Sequence, residues 1–525
     1  MLKRVRTGMI LLIALVSGLH AQERIDWQTV EKIREEGLNN SQVMKTLFYL
    51  TDVHGPRLTG SPGLKAASEW SRDKLQEWGL TGARLEPWGT FGRGWALDKL
   101  SVEMTAPVYM PVIAYAKAWS PGTDGIVEGK AVLFDVASEE DFEAYRGTLK
   151  GAIVLVRPSS KPSINFEAEA KRHDEESLEK LATLSLDEPN RGPDAARRER
   201  WKKYRERMRL LRKVNSFLID EGARVILEPS MWKNGIVRLG GVSRTARKLD
   251  SPETVPQLVV ASEHYNRMAR LLENDVPVSL RIDVRSTFFT EDTLAYNVIA
   301  EIPGTDRKLK KQVVMLGAHI DSWHAGTGAT DNAAGTAVMM EAVRILKAIG
   351  AKPKRTIRIA LWSGEEQGLL GSRAYVKKHF GDRNTMQLTD EHKNFAGYFN
   401  LDNGGGRIRG IYLQENFAVR PIFEAFLKPF HDLGAETISM DNTGGTDHLS
   451  FDAIGLPGFQ FIQDPMEYFS RTHHSNMDTY DHVLESDLKQ AATIIASFVW
   501  HTATRPEKLP RKPLPKPRET DAATH

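Results

Sequence analysis

From residue 294 onward the sequence alternates short apolar runs with amphipathic stretches, and this alternation restricts the fold more than any other feature. "AYNVIAEI", "KQVVMLGA", "RTIRIALWS", "FAGYFNL" and "PGFQFI" read as strands. "DNAAGTAVMMEAVRILKAIG", "EQGLLGSRAYVKKH" and "PIFEAFLKPFHDLG" read as helices. Strands joined through helices fold as crossovers onto one sheet, so the expectation is an α/β fold with a mostly parallel sheet flanked by helices. In the first of these helices Asp331 or Asn332 is the expected N-cap and Gly350 the stop signal.

The chain upstream has a different character. Residues 25–85 read as helical, with a loop at "TDVHGPRLTGSPG". Between 125 and 285, "KAVLFDV", "GAIVLVRP", "ARVILEP", "PQLVVAS" and "VSLRIDV" are short β-branched runs separated by turns. They are interrupted by a charged insert near 165–215. Within it Trp201, Tyr204, Met208 and Leu211 recur at helical spacing, which predicts one amphipathic helix packed on its domain. The competing reading of its arginines as a nucleic-acid patch is weakened by Glu199 and Glu206, and by a net charge of only +3 over 525 residues. The tail "RPEKLPRKPLPKPRETDAATH" is rich in Pro and Lys and is expected to be disordered.

The N-terminus "MLKRVRTGMILLIALVSGLHAQ" has a basic start, an apolar run from Met9 to Leu19, and Ala21. This is the pattern of a secretory signal peptide over 1–21, and it predicts a secreted or periplasmic protein. The run is short for a membrane span, so no stable membrane insertion is expected after cleavage; an uncleaved anchor is the alternative. The chain has no cysteine, which excludes disulfides, a thiol nucleophile, thiolate metal sites and a lipidated cysteine.

Acids and histidines cluster just after the predicted strands. "GAHID" carries His319 and Asp321, "GATDNAAG" Asp331, "SGEEQG" Glu365 and Glu366, "NLDNGGG" Asp402, and "RTHHSNMDT" His473, His474 and Asp478. In an open α/β sheet the carboxyl ends of the strands share one crevice, so long sequence separations need not mean distance in space. Carboxylates gathered in one crevice repel, and divalent cations relieve this. Two histidines and three carboxylates suit zinc, and five ligands with one carboxylate shared make a two-metal site with room for water. Each of HxD, EE and HH alone reads as surface polarity; their order, with glycine and small residues around each, is what carries the signal.

These motifs resemble the M28 metallopeptidases, the co-catalytic zinc aminopeptidases. The stretches "TDVHGPRLTGSPG", "AHIDSWHAGTGATDNAAG", "IALWSGEEQGLLGS", "GGTDHLSFDAIGLPG" and "HHSNMDT" resemble more narrowly the carboxypeptidase Q branch of that family, over about 45–500. The β-rich stretch is similar to the protease-associated (PA) domain that many members carry as an insertion. The resemblance implies a peptidase domain split into 22–120 and 288–505, a PA-like insertion over 121–287, and a tail from 506 to 525. It implies two Zn2+ as cofactors, though the native metal could differ. Asp331 is then shared by both metals, His319 and Asp402 complete one, and Glu366 and His474 the other. Asp321 holds the His319 imidazole, Glu365 is the general base, and His473 stands where relatives often place an oxyanion-stabilising tyrosine. The expected activity is a two-zinc exopeptidase, an aminopeptidase or dipeptidase, acting on short peptides through an activated water between the metals. Nucleic acid is not an expected partner, and a homodimer is left open. A single-zinc glutaminyl cyclase-like enzyme, a metal-dependent phosphoesterase and an inactive homologue serving as a binding module are the alternatives.

Overall fold

The computed structural model of the chain describes residues 23–183, 195–243, 245–252 and 254–518. The expected signal peptide lies outside the described residues. Among them, no helix is long and apolar enough to cross a membrane.

Two eight-stranded sheets organise the chain. The first runs, in spatial order, Thr81–Thr90, Leu294–Ile302, Thr356–Trp362, Val313–His319, Phe395–Asn400, Gly458–Gln463, Ile408–Tyr412, Thr437–Ser439. Its four central strands, Thr356–Trp362 through Gly458–Gln463, are parallel, and antiparallel strands flank them. The predicted α/β architecture is the one observed. Alternate residues of the central strands face two separate layers. Val314, Leu316 and Ala318 pack with the helices Ala334–Ala348 and Glu485–Thr504; Met315, Ala360 and Trp362 pack with Tyr375, Tyr398 and Phe451. The helix Ala334–Ala348 is buried from Ala334 to Leu346, which is why its sequence there is largely apolar, with Glu341 and Arg344 pairing their charges at 2.8 Å.

The second sheet runs Met110–Pro111, Gly94–Ala106, Ser279–Phe289, Val127–Leu133, Ile153–Leu155, Val225–Pro229, Gln257–Val260, Ala114–Ala116. It therefore takes up the chain from Gly94, not from 121. The cause is the long pairing of Gly94–Ala106 with Ser279–Phe289, a partner far away in sequence. The expected helix in the charged insert is present as Ala195–Asp220, with Val214, Phe217 and Leu218 packed on Phe134, Phe142 and Ile226. The side chains of Trp201, Tyr204 and Met208 lie outside the described ones. Ahead of that helix, the insert crosses to the first sheet. Arg172 reaches the buried Asp464 and Asp487 at 2.8 Å each, and Lys171 pairs with Met466.

Two further expectations need correction. Helices occupy Trp27–Asn39, Val43–Phe48 and Pro62–Glu77, but Thr81–Thr90 is an edge strand of the first sheet. The tail is not free up to 518: Leu509 is buried, and Arg511 donates to the carbonyls of His392 and Phe395, both at 2.7 Å. Its prolines rule out helix and central strand but allow an extended segment anchored by side chains.

The loop after Val43–Phe48 is built around Arg57, which is fully buried. Its guanidinium donates to the carbonyls of Ile320 (2.7 Å), Leu50 (2.8 Å), Thr327 (2.7 Å) and Gly328 (2.8 Å). One side chain thus ties the N-terminal loop to the end of strand Val313–His319 and to the turn before Asp331. Arg57→Met keeps the stem and strands four carbonyls, so stability is expected to fall by roughly 3–5 kcal/mol. The check is the urea midpoint at unchanged slope. A loss below about 1 kcal/mol would mean that water replaces the guanidinium.

Candidate metal centre

The carboxyl ends of the central strands deliver the functional side chains. Strand Val313–His319 ends on His319, Thr356–Trp362 leads into the turn carrying Glu365 and Glu366, and Phe395–Asn400 leads to Asp402. Gly458–Gln463 leads through the helical turn Tyr468–Thr472 to His473 and His474. Asp331 comes from the entry to the helix Ala334–Ala348. Asp331 and Asn332 have φ of −131° and −136°, outside the helical range, as expected of the N-cap positions. Asn332 Oδ1 accepts from Gly335 N at 3.1 Å, a capping bond, while the Asp331 side chain is left free to face the histidines.

All five expected ligands meet around Asp331. On one side, His319 Nε2 is 3.3 Å from Asp331 Oδ1 and 3.3 Å from Asp402 Oδ1. On the other, His474 Nε2 is 3.3 Å from Asp331 Oδ2 and 3.0 Å from Glu366 Oε2. His473 Nε2 is 3.8 Å from Asp331 Oδ2. Asp331 Oδ2 and Glu366 Oε1 are buried and make no hydrogen bond. Asp331 Oδ2 thus lies beside an imidazole nitrogen without bonding to it, so both atoms are aimed at a point between them. Ligands held about 2.0–2.1 Å from a tetrahedral zinc are about 3.3 Å apart, which is the spacing here. Nitrogen and carboxylate donors in this number fit zinc on both sides of Asp331.

Electrostatics point the same way. Burial disfavours charge on the imidazoles, but the carboxylates overcome it: His319 is raised well above its ordinary value, and His474 is pushed up to about 10 by Glu366 and Asp331. Burial pushes Glu365 well above the usual carboxylate range; His319 opposes this, and Asp402, Asp447 and Glu366 reinforce it. Burial also raises Glu366, to about 7, against the pull of His474.

The supporting groups differ from expectation. The nearest acceptor for His319 Nδ1 is the Asp321 main-chain carbonyl at 3.0 Å, with the carboxylate Oδ1 at 3.6 Å. The Asp321 carboxylate instead accepts from Thr59 Oγ1 at 2.8 Å and from the backbone N–H groups of Glu365 and Glu366 at 3.3 and 3.4 Å. It therefore orients the two-glutamate turn. Asp478 accepts from Thr330 N at 2.6 Å, Thr330 Oγ1 at 2.8 Å and Asp331 N at 3.2 Å, and so fixes the Asp331 loop. Sequence reading missed Arg57, Thr59 and Asp447. The first two sit in the quoted "TDVHGPRLTGSPG", whose polar residues between glycines were the available signal.

A cleft of about 630 Å³ between the two sheets meets the centre at Glu366. Trp119, Gly241 and Val242 line it from the second sheet, and Trp323, Glu366 and Gln367 from the first. This volume is that of a site for a small molecule or short peptide.

Residues 297–499 match peptidase family M28. Carboxypeptidase Q of Pongo abelii is 25% identical over 526 residues, covering 96% of this chain and 98% of that protein. A peptidase M28 precursor from Shewanella amazonensis SB2B is 26% identical with a TM-score of 0.65, covering 93% of this chain and 98% of that one. The fold is also that of BSAP, a zinc aminopeptidase from Bacillus subtilis, at 19% identity and a TM-score of 0.53, over 88% of this chain and 94% of that one. With these acids and histidines in this order at the strand ends, residues 297–499 are similar to peptidase family M28, and the chain as a whole is similar to carboxypeptidase Q.

Proposed function

We propose that the chain is an exported two-zinc exopeptidase that hydrolyses short peptides. The observation that carries this is the meeting of His319 and Asp402 on one side of Asp331 and of Glu366 and His474 on the other. Zinc is supported by the donor set and by the zinc aminopeptidase among the structural neighbours. Export is supported by the basic and apolar N-terminus; the mature chain then begins at or near Gln22, which N-terminal sequencing of exported protein reads.

His319, Asp331 and Asp402 would hold one zinc, and Asp331, Glu366 and His474 the other. When bound, zinc supplies Lewis-acid chemistry, lowering the pKa of water and polarising the peptide carbonyl. Glu365 takes the proton of the attacking water and returns it to the leaving amine. His473 donates to the carbonyl oxygen as negative charge develops on it. Trp119 and Trp323 wall the cleft against water and hold the peptide.

A panel of dipeptides and aminoacyl amides, read by released amino acids on zinc-loaded protein, tests the reading; no release from any of them would refute it. The histidine pair is tested separately. His473→Phe is expected to keep both metals and lose roughly 10² to 10³ in turnover, as for loss of one oxyanion donor. His474→Phe is expected to lose one metal. Equal metal loss in both variants would contradict the assignment.

A further inference from the structure

His473 and His474 have rings 3.8 Å apart, and both direct Nε2 toward Asp331 Oδ2. By position alone either could bind a metal there: Asp331, His473 and His474 form one of the two candidate metal clusters among the described residues. The group behind the ring decides. An imidazole that ligates through Nε2 needs a lone pair on that atom, so its proton sits on Nδ1 and must meet an acceptor. His319 fits, because its Nδ1 faces the Asp321 carbonyl at 3.0 Å.

His473 is the opposite case. Its Nδ1 faces Arg238 Nη2 at 3.1 Å. A guanidinium only donates, so Nδ1 is the acceptor and carries no proton. The one ring proton is then on Nε2, the atom turned toward the metal centre. We propose that Arg238, from the loop between the second-sheet strands Val225–Pro229 and Gln257–Val260, is a positioning residue that fixes His473 as a neutral Nε2–H donor and keeps it from ligating metal. The inference rests on the reading of His473 as the oxyanion donor and supplies what that reading lacks, the cause of the tautomer.

Arg238 is itself held in place. Its guanidinium lies over the Trp232 ring, 5.3 Å from the centroid. The backbone around it pairs with the histidine loop: Asn476 N donates to Val237 O at 3.1 Å, Leu239 N to His474 O at 3.1 Å, and Val237 N to Asn476 Oδ1 at 2.7 Å. His474 lies between these bonds with φ of 60°, a left-handed conformation that is unfavourable for a residue with a Cβ. Such a conformation persists where its surroundings over-determine it, and here a loop of the second sheet does so. That loop thus sets both histidines, one through its backbone and one through Arg238.

The test uses the full zinc-loaded chain with 15N-labelled histidine, the His473 signals being assigned by their loss in His473→Phe. The expected spectrum has His473 Nε2 protonated and Nδ1 bare; a proton on Nδ1 would overturn the inference, and this readout needs no Arg238 variant to fold. Arg238→Met is expected to lower kcat by roughly 10- to 100-fold with KM and zinc content unchanged. Arg238→Lys, which keeps a cationic donor, is expected to recover part of that loss. In the His473→Phe background Arg238→Met is expected to change kcat no further. An equal loss in both backgrounds, or loss of zinc in Arg238→Met, would overturn the inference. If the parent releases no amino acid from any peptide, the proposed function fails, and the tautomer then decides this inference alone.

Discussion

Glu365→Gln is expected to bind two zinc ions as the parent does and to lose roughly 10² to 10⁴ in turnover, the range for a general base. The expectation comes from two adjacent glutamates with different surroundings. Glu366 Oε2 lies 3.0 Å from His474 Nε2, and its charge responds to His474 and Asp331. Glu365 responds instead to His319, Asp402 and Asp447. Asp321 holds the backbone N–H of each, so the turn sets both directions at once. A glutamate bound to zinc has its charge committed and moves protons poorly; its unligated neighbour is the one that can take a proton from water. The amide of Gln keeps the shape of Glu365 and removes the basic oxygen. Glu366→Gln is expected to behave differently, weakening one metal site, with activity partly restored by excess zinc. A Glu365→Gln protein that is metal-free, or that turns over like the parent, would reverse or dismiss these roles.

Asp331→Asn is expected to lose both zinc ions and, with them, more than roughly 10³ in turnover. Among the described residues Asp331 is the one carboxylate with an oxygen on each side of the centre, so in the proposed site this single change would remove a ligand from both metals. Asp331 faces His319 and His474 at 3.3 Å each, and against the effect of burial these imidazoles hold its carboxyl well below the usual range. The backbone of residue 331 stays tied to Asp478, but the chelated variant should unfold earlier in urea than the chelated parent, because the pairing with the imidazoles is lost. It also loses stabilisation by added zinc, which for the parent reaches about 4 kcal/mol per site at a thousandfold excess over the dissociation constant. A variant that still gains this stabilisation and retains two zinc ions would show that Asp331 is not shared.

The catalytic half was legible because its strands are buried on both faces and so read as unbroken apolar runs, each ending in a polar cluster at the crevice. His319, Glu366 and Asp402 sit where that reasoning puts them, at the ends of adjacent strands. The first part of the second sheet was not legible. Gly94–Ala106 takes its identity from Ser279–Phe289, and such a pairing has no local signature. Thr81–Thr90, "TGARLEPWGT", contains Gly, Pro and Glu and becomes a strand because it sits at a sheet edge, where these are tolerated. Asp321 shows a subtler limit. The spacing of HxD brings the acid near the imidazole, but the main-chain carbonyl is nearer, and that choice depends on how Thr59 draws the carboxylate away. Arg238 carries no signal at all beside His473, because the two meet across 235 residues of chain.

The most direct test of the whole account is a zinc titration of chelated, metal-free protein in which bound metal and peptide hydrolysis are followed together. The account predicts saturation at about two zinc ions per chain, with hydrolysis rising as these sites fill and abolished again by chelator. Full activity in the metal-free protein, or no uptake of zinc by the intact fold, would contradict it.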